Sequence, residues 1–219
     1  MSYQEMMFQA VIKNDKAQIL RLLNKEPSLV NVTTAQGLPL VLFAMYYNQA
    51  DVAQLLVSQG AILDIFSASA IGKLERVREL AEANPTLVNA YAIDGYQPLG
   101  LASFFGQLGI VKYLISKGAN VNSPSANQQR TTPLHSAVEG QHLETAHQLL
   151  RHGAQVNARQ AGDFTPLHSA AFHGSLAMVM LLLEYGADLT AQSSDGRTPL
   201  DMALESGNQD LVDFFLTVN

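Results

Sequence analysis

Apolar positions along the chain come in short bursts with helical spacing, broken by glycines and polar turns. Leu176, Val179, Met180, Leu182 and Leu183 fall at intervals that place them on one helix face. Gly186 follows, where a residue able to take positive φ ends a helix. Upstream, Leu167, Ala170 and Ala171 mark a second, narrower apolar face, and Gly174 lies between the two. The pattern predicts two short helices joined by a turn. Such a pair cannot bury its apolar surface alone and has to stack on neighbours of the same kind.

The sequence supplies those neighbours. Thr132-Pro133-Leu134-His135 returns as Thr165-Pro166-Leu167-His168 and as Thr198-Pro199-Leu200-Asp201, each 33 residues on. A weaker copy, Gln97-Pro98-Leu99-Gly100, lies 35 residues before the first. The extra length falls in the polar stretch Ser123 to Arg130, where a surface loop tolerates insertion at small entropic cost. Gly118-Ala119, Gly153-Ala154 and Gly186-Ala187 close the successive copies. The N-terminal half adds a longer period of 58: Phe8, Pro27, Asn31, Gly37, Ala44 and Gly60 map onto Phe66, Pro85, Asn89, Gly95, Ala102 and Gly118. These periods divide a single domain, 1–219, into helix pairs at about 3–32, 33–63, 64–90, 91–124, 125–158, 159–191 and 192–219. At the start of a pair, Thr165 can cap the helix through its hydroxyl. Pro166 then takes the first helical position, where its missing N–H costs nothing.

These residues resemble the ankyrin repeat, whose signature includes Thr-Pro-Leu-His, and the resemblance covers essentially the whole chain. It implies an all-α fold, an ankyrin-type α-solenoid of about seven stacked helix–turn–helix repeats with short β-hairpin fingers and a concave face. It also implies that His135 and His168 bond the backbone of the neighbouring finger. The chain departs from the pattern in places. Units 3–32 and 64–90 lack a Thr-Pro start and a finger, Pro39-Leu40 replaces Thr-Pro in the second unit, and Asp201 replaces histidine in the last. Polar Gln4, Gln9, Lys13 and Lys16 suit a solvent-facing first cap.

Composition narrows the function classes. Hydrophobic residues make up 47 % of the chain, enough for a packed core. Cysteine is absent, which removes thiolate nucleophiles, disulfides and cysteine zinc sites. The net charge of −6 argues against a phosphate-tracking surface, so no nucleic acid is expected. The longest apolar run, Leu38 to Tyr47, has ten residues and contains Pro39, too short to span a bilayer. Glu5 and Gln9 stand where a signal peptide needs basic and then apolar residues. The expectation is a cytoplasmic protein without membrane contact. Charge is uneven: residues 161–219 carry eight acids and one base, Arg197, giving −7, so the first 160 sum to +1. That end keeps the chain soluble or steers a basic partner.

No catalytic constellation emerges. His135-Ser136 and His168-Ser169 are helix neighbours pointing about 100° apart, which disfavours a nucleophile–base contact. His142 and His147 are five positions apart, about 140° round a helix, and cannot clamp one ion. His152 precedes Gly153 at a helix C-terminus, where the dipole favours a cation. Phosphate loops, His-Glu-x-x-His and acidic calcium loops are missing. Asn31-Val32-Thr33 fits a glycosylation sequon by chance. Neither a cofactor nor a metal is expected.

Binding has stronger candidates. In ankyrin repeats, the residues just before the turn between the two helices face the concave side. Here those pairs are Tyr46-Tyr47, Ala70-Ile71, Phe104-Phe105, Glu139-Gly140, Phe172-His173 and Glu205-Ser206. The finger residues ahead of each signature add Leu38, Tyr96, Thr131, Phe164 and Arg197. Tyr46, Tyr47, Tyr96, Phe104, Phe105, Phe164, Phe172 and His173 are thus the expected partner-binding set. A Phe left in water costs about 1.5–3 kcal/mol, and adjacent rings on a helix cannot both hide in one contact. At least one ring per pair is expected to be exposed for use.

Three functions follow. The favoured one is a non-enzymatic, monomeric adaptor that binds a protein or peptide partner in the groove. The second is a small-ligand site, for example an aromatic cage from Tyr46, Tyr47, Phe104 and Phe105. Two repeat steps of about 10 Å separate those pairs, too wide for one cage unless Tyr96 or Ile71 fills the gap. The third is a self-associating array docking through Phe214 and Phe215.

Overall fold

The computed structural model describes residues 2–218 of the chain. Fourteen α-helices stand in pairs along the sequence among the described residues. They are α1 (Tyr3–Ile12), α2 (Lys16–Lys25), α3 (Leu40–Tyr46), α4 (Ala50–Ser58), α5 (Ile65–Ile71), α6 (Leu74–Ala83) and α7 (Pro98–Phe104), then α8 (Leu108–Ser116), α9 (Pro133–Glu139), α10 (Leu143–Arg151), α11 (Pro166–Phe172), α12 (Leu176–Glu184), α13 (Pro199–Ser206) and α14 (Gln209–Val218). First helices pack on first helices, as α7 does on α9 and α11 on α13. Second helices follow behind, α8 beside α10 and α10 beside α12. One continuous apolar core runs through the stack from Met7 to Phe215. The all-α solenoid of helix pairs is therefore the fold, and each pair is stabilised through its interfaces.

Local chemistry sets the helix starts. Pro98, Pro133, Pro166 and Pro199 each open a first helix. Thr132 and Thr198 accept long bonds from the backbone N–H groups of His135 (3.5 Å) and Asp201 (3.3 Å). At Thr165, as at Thr132 and Thr198, bonds also run to the side chain of the third residue on. The backbone N–H and the hydroxyl of Thr165 both point to His168 Nδ1, at 3.1 and 2.9 Å. The finger-free units start differently: Ser2 and Glu5 cap each other in α1, and Asp64 Oδ1 accepts Ser67 N–H at 2.6 Å in α5. Within α12, Val179 and Leu182 are buried as the spacing predicts. Met180 is exposed, and Met178 takes its place in the core.

The fingers are narrower than β-hairpins. Each is a tight turn with a backbone bond across its base, as from Ala92 N–H to Tyr96 O at 2.8 Å or from Gln160 N–H to Phe164 O at 3.0 Å. Only an isolated bridge, Thr33 with Pro39, has strand pairing among the described residues. Successive fingers bond instead to one another: Ala126 N–H to Gly95 O, Ala161 N–H to Gln129 O, and Ser194 N–H to Gly162 O, at 2.8–2.9 Å. Gly95 permits this approach, because a Cβ there would lie 2.6 Å from Asn127 N.

A second set of ties runs along the loops. Asn122 donates to Gly153 O (2.9 Å) and accepts from Gln155 N–H (2.7 Å). Asn89 does the same with Gly118 O and Asn120 N–H, and Asn157 with Gly186 O and Asp188 N–H. Asn31 accepts from Ile62 N–H. Each asparagine thus fastens its own unit to the glycine loop of the next.

Candidate functional site

The signature histidines are structural. His135 Nε2–H donates to Phe164 O (3.2 Å) and His168 Nε2–H to Arg197 O (3.0 Å), each on the next finger. Their Nδ1 atoms receive the hydroxyls of Thr132 and Thr165. A carbonyl can only accept, so both rings carry a proton on Nε2, and the Thr165 N–H, which can only donate, leaves His168 Nδ1 bare and that ring neutral. Burial pushes the pKa of His135 down to about 4. Burial is also the main cause holding His168 below the usual histidine range. His152 caps α10, its Nδ1–H donating to Gln148 O at 2.8 Å. No group of three His, Asp or Glu side chains among the described residues has metal-binding spacing.

The aromatic set divides into three places. Tyr46, Tyr96 and Phe104 converge on a cleft of about 450 Å³ between the fingers and the first helices, together with Leu101, Ser136 and Glu139. Phe164 and Phe172 line an adjoining cleft of about 240 Å³, with Glu139, Arg197 and Glu205. Tyr47 belongs to neither, for its ring packs on Phe43 (4.6 Å), which packs on Phe8 (4.9 Å). Phe105 is half-buried behind the first cleft, with its ring 6.0 Å from Tyr46 and 5.0 Å from Phe104. His173 is half-buried too, and its Nε2–H donates to Glu139 Oε2 at 3.0 Å. Phe104 is 41 % exposed and Phe172 52 %. Tyr46 and Tyr47 are both exposed.

The wide spacing expected between Tyr46 and Phe105 does not hold. The reason lies in the unit between them. Unit 64–90 has no finger, and the middle of α5 carries only Ser67, Ala68, Ser69 and Ala70, all fully buried. Side chains from α3 and α7 meet over this low step. Tyr46 Oη reaches Asp94 Oδ2 at 2.6 Å, on the finger of the following unit. Part of the Tyr46 ring is open to solvent, but desolvation around the phenol, and then that hydrogen bond, raise its pKa far above the usual range.

In the second cleft a cation of the chain is already in place. The Arg197 guanidinium lies 5.2 Å from the Phe164 ring centroid and pairs with Asp195 (2.8 Å) and Glu205 (3.3 Å). Phe164 is therefore half-covered rather than open.

Other surfaces were not singled out by the sequence. Leu143, His147, Met180 and Phe214 line a cleft of about 590 Å³ among the second helices α10, α12 and α14. Its signal was Met180, which the helical spacing assigns to a core face and which is exposed here, as Leu143 is too. Phe215 is fully buried, Phe214 half-buried and Leu216 exposed. No described helix is long and apolar enough to cross a membrane.

A stack of helix pairs joined by finger turns, with Thr-Pro starts and histidines bonded to the next finger, defines a repeat solenoid. Residues 65–160 match ankyrin repeats in three copies, and residues 149–203 match ankyrin repeats in many copies. Together these matches span more than half of the chain, and it belongs to the ankyrin repeat family. Similar proteins include the rat ankyrin repeat and SAM domain-containing protein 6, 35 % identical over 96 residues (44 % of this chain, 11 % of that protein). An ankyrin repeat protein of Rickettsia felis is 32 % identical over 123 residues, covering 55 % of this chain and 54 % of its own length. The human palmitoyltransferase ZDHHC13 is 35 % identical over 99 residues, 45 % of this chain and 16 % of that protein. The chain thus spans about half or less of the length of these three relatives. Ankyrin repeats are in general protein–protein interaction modules.

Proposed function

We propose that this chain is a non-enzymatic, cytoplasmic interaction module that holds a protein or peptide partner against the face made by its fingers and first helices. The observation that carries this reading is the row of exposed rings on that face, Tyr46, Phe104 and Phe172, opening onto two adjoining clefts. Tyr and Phe give wide contact area for little entropy and often anchor interfaces. The finger-to-finger and asparagine ties hold the face rigid, so little order has to be gained on binding.

The test is panning of a displayed library of random 16-residue peptides on the intact chain. Binders are expected whose affinity falls at least tenfold, about 1.4 kcal/mol, in Phe104→Ala/Phe172→Ala while the melting temperature stays within a few degrees. Phe104 and Phe172 replace the pair Phe104 and Phe105 as the informative change, because Phe105 supports Tyr46 from behind. Recovery of no peptide that depends on these rings overturns the reading. This reading has the chain acting as a monomer, and a mass that grows with concentration in sedimentation overturns that part.

A further inference from the structure

We infer that the cleft between Tyr46, Tyr96 and Phe104 receives an arginine or lysine side chain from a peptide partner. This rests on the proposed function and names the chemistry that the face selects.

The two adjoining clefts are built alike from equivalent positions of the repeat. In the second, finger residues Phe164 and Arg197 face helix residues Phe172 and Glu205. There the guanidinium of Arg197 lies on Phe164 and between two carboxylates, those of Asp195 and Glu205. The chain itself therefore shows what such an aromatic and acidic corner holds. In the first cleft the matching finger residues are Tyr96 and Thr131, and the matching helix residues are Phe104 and Glu139. Thr131 stands where the second cleft has Arg197. It is short and neutral, and the space the arginine would fill is open, about 450 Å³ against about 240 Å³.

The lining of the larger cleft suits a cation and supplies none. Three aromatic rings, the Glu139 carboxylate and the polar Gln129, Ser136 and Gln160 surround it, without a lysine or arginine among them. Glu139 Oε2 accepts from His173, and no hydrogen bond from the described residues occupies Oε1. A cation over a ring face is attracted by the ring quadrupole, more strongly as water is excluded. Behind Tyr46, Asp94 adds a further negative charge. An apolar side chain of the same length would leave Glu139 Oε1 without a donor, and an acidic one would be repelled.

The experiment uses the peptides panned on the intact chain, each remade with its basic positions changed singly to norleucine. One arginine or lysine should be indispensable, with at least a tenfold loss on its replacement. Glu139→Gln should weaken the same peptides about as much, and Gln129→Glu should tighten them. Thr131→Arg should abolish binding by placing the chain's own cation in the cleft, as Arg197 does next door. None of these changes removes a core side chain, and the melting temperature of each variant checks its fold. Peptides that need Phe104 but contain no indispensable basic residue, or ignore Glu139→Gln and Thr131→Arg, overturn this inference and leave the peptide-binding reading standing. N-acetylarginine methylamide binding as tightly as the whole peptide overturns it in favour of a free small cation. The absence of any ring-dependent peptide overturns both.

Discussion

The phenol of Tyr46 donates a 2.6 Å hydrogen bond to Asp94 Oδ2, joining the end of α3 to the finger of a unit two repeats further on. It crosses the one interior pair of helices that has no finger of its own, α5 and α6, and so braces the stack at its lowest point. Asp94 is itself fixed in place. Its other oxygen accepts Tyr96 N–H at 3.1 Å, and its carbonyl receives the Asn127 side chain.

Tyr46→Phe should lower stability by about 1 kcal/mol, the usual net worth of such a bond. In a chain of this size that is a fall of about 2–4 °C in melting temperature. Ultraviolet titration offers an independent check. One of the seven tyrosines should resist ionisation well beyond its ordinary range, and Tyr46→Phe should remove that resistant fraction. A titration curve unchanged by the substitution contradicts the bond.

Acid should weaken the fold before the carboxylates titrate. His135 is neutral in the folded chain with a pKa of about 4, against 6.5 for the ordinary side chain. The unfolded state therefore takes up a proton first as pH falls. The stabilisation is complete above pH 6.5 and is lost as pH drops towards 4. At about 1.36 kcal/mol per pKa unit the loss from His135 is about 3 kcal/mol, and His168 shifts in the same direction. Urea midpoints measured from pH 7 to 4 should fall steadily, and His135→Gln should flatten the slope even if its stability at pH 7 is lower.

Gly95→Ala should cost about 1–3 kcal/mol. Its φ of +85° lies in the left-handed region, which strains any side chain. The new methyl also meets Asn127 N of the next finger. Gly60 has a similar φ of +89° but open space around it, so Gly60→Ala carries the strain alone. Thermal melts of the two variants should rank Gly95→Ala as the worse.

Asn122→Ala removes both bonds to the loop at Gly153 and Gln155. The expected loss is about 1–2 kcal/mol for two partly exposed bonds. Because stability in a stack is shared between neighbours, amide exchange should speed up around 153–158 and leave 3–60 unchanged. Uniform acceleration along the chain contradicts the local role.

The repeat period fixed the class of fold before any coordinates, because Pro at a helix start, Gly at a helix end and apolar residues at helical spacing are local requirements that each unit must meet alone. The resemblance to the family, rather than those requirements, assigns His135 and His168 their place. Of the asparagine ties, the period of 58 pairs only Asn31 with Asn89, while Asn122 and Asn157, and what each amide does, emerge from the contacts.

Other features depend on how far one unit reaches into the next, and no local rule states that. Counting repeat steps separates Tyr46 from Phe105. The packed stack brings their rings to 6.0 Å because α5 lacks a finger and is filled by small side chains. Tyr47 packs along its own helix on Phe43, and His173 reaches back to Glu139 of the preceding unit. A helix position tells which residues stand near a surface. Only the tertiary arrangement decides which of them share a cleft, since that is set by the sizes of side chains two repeats apart and by the charges they neutralise between them.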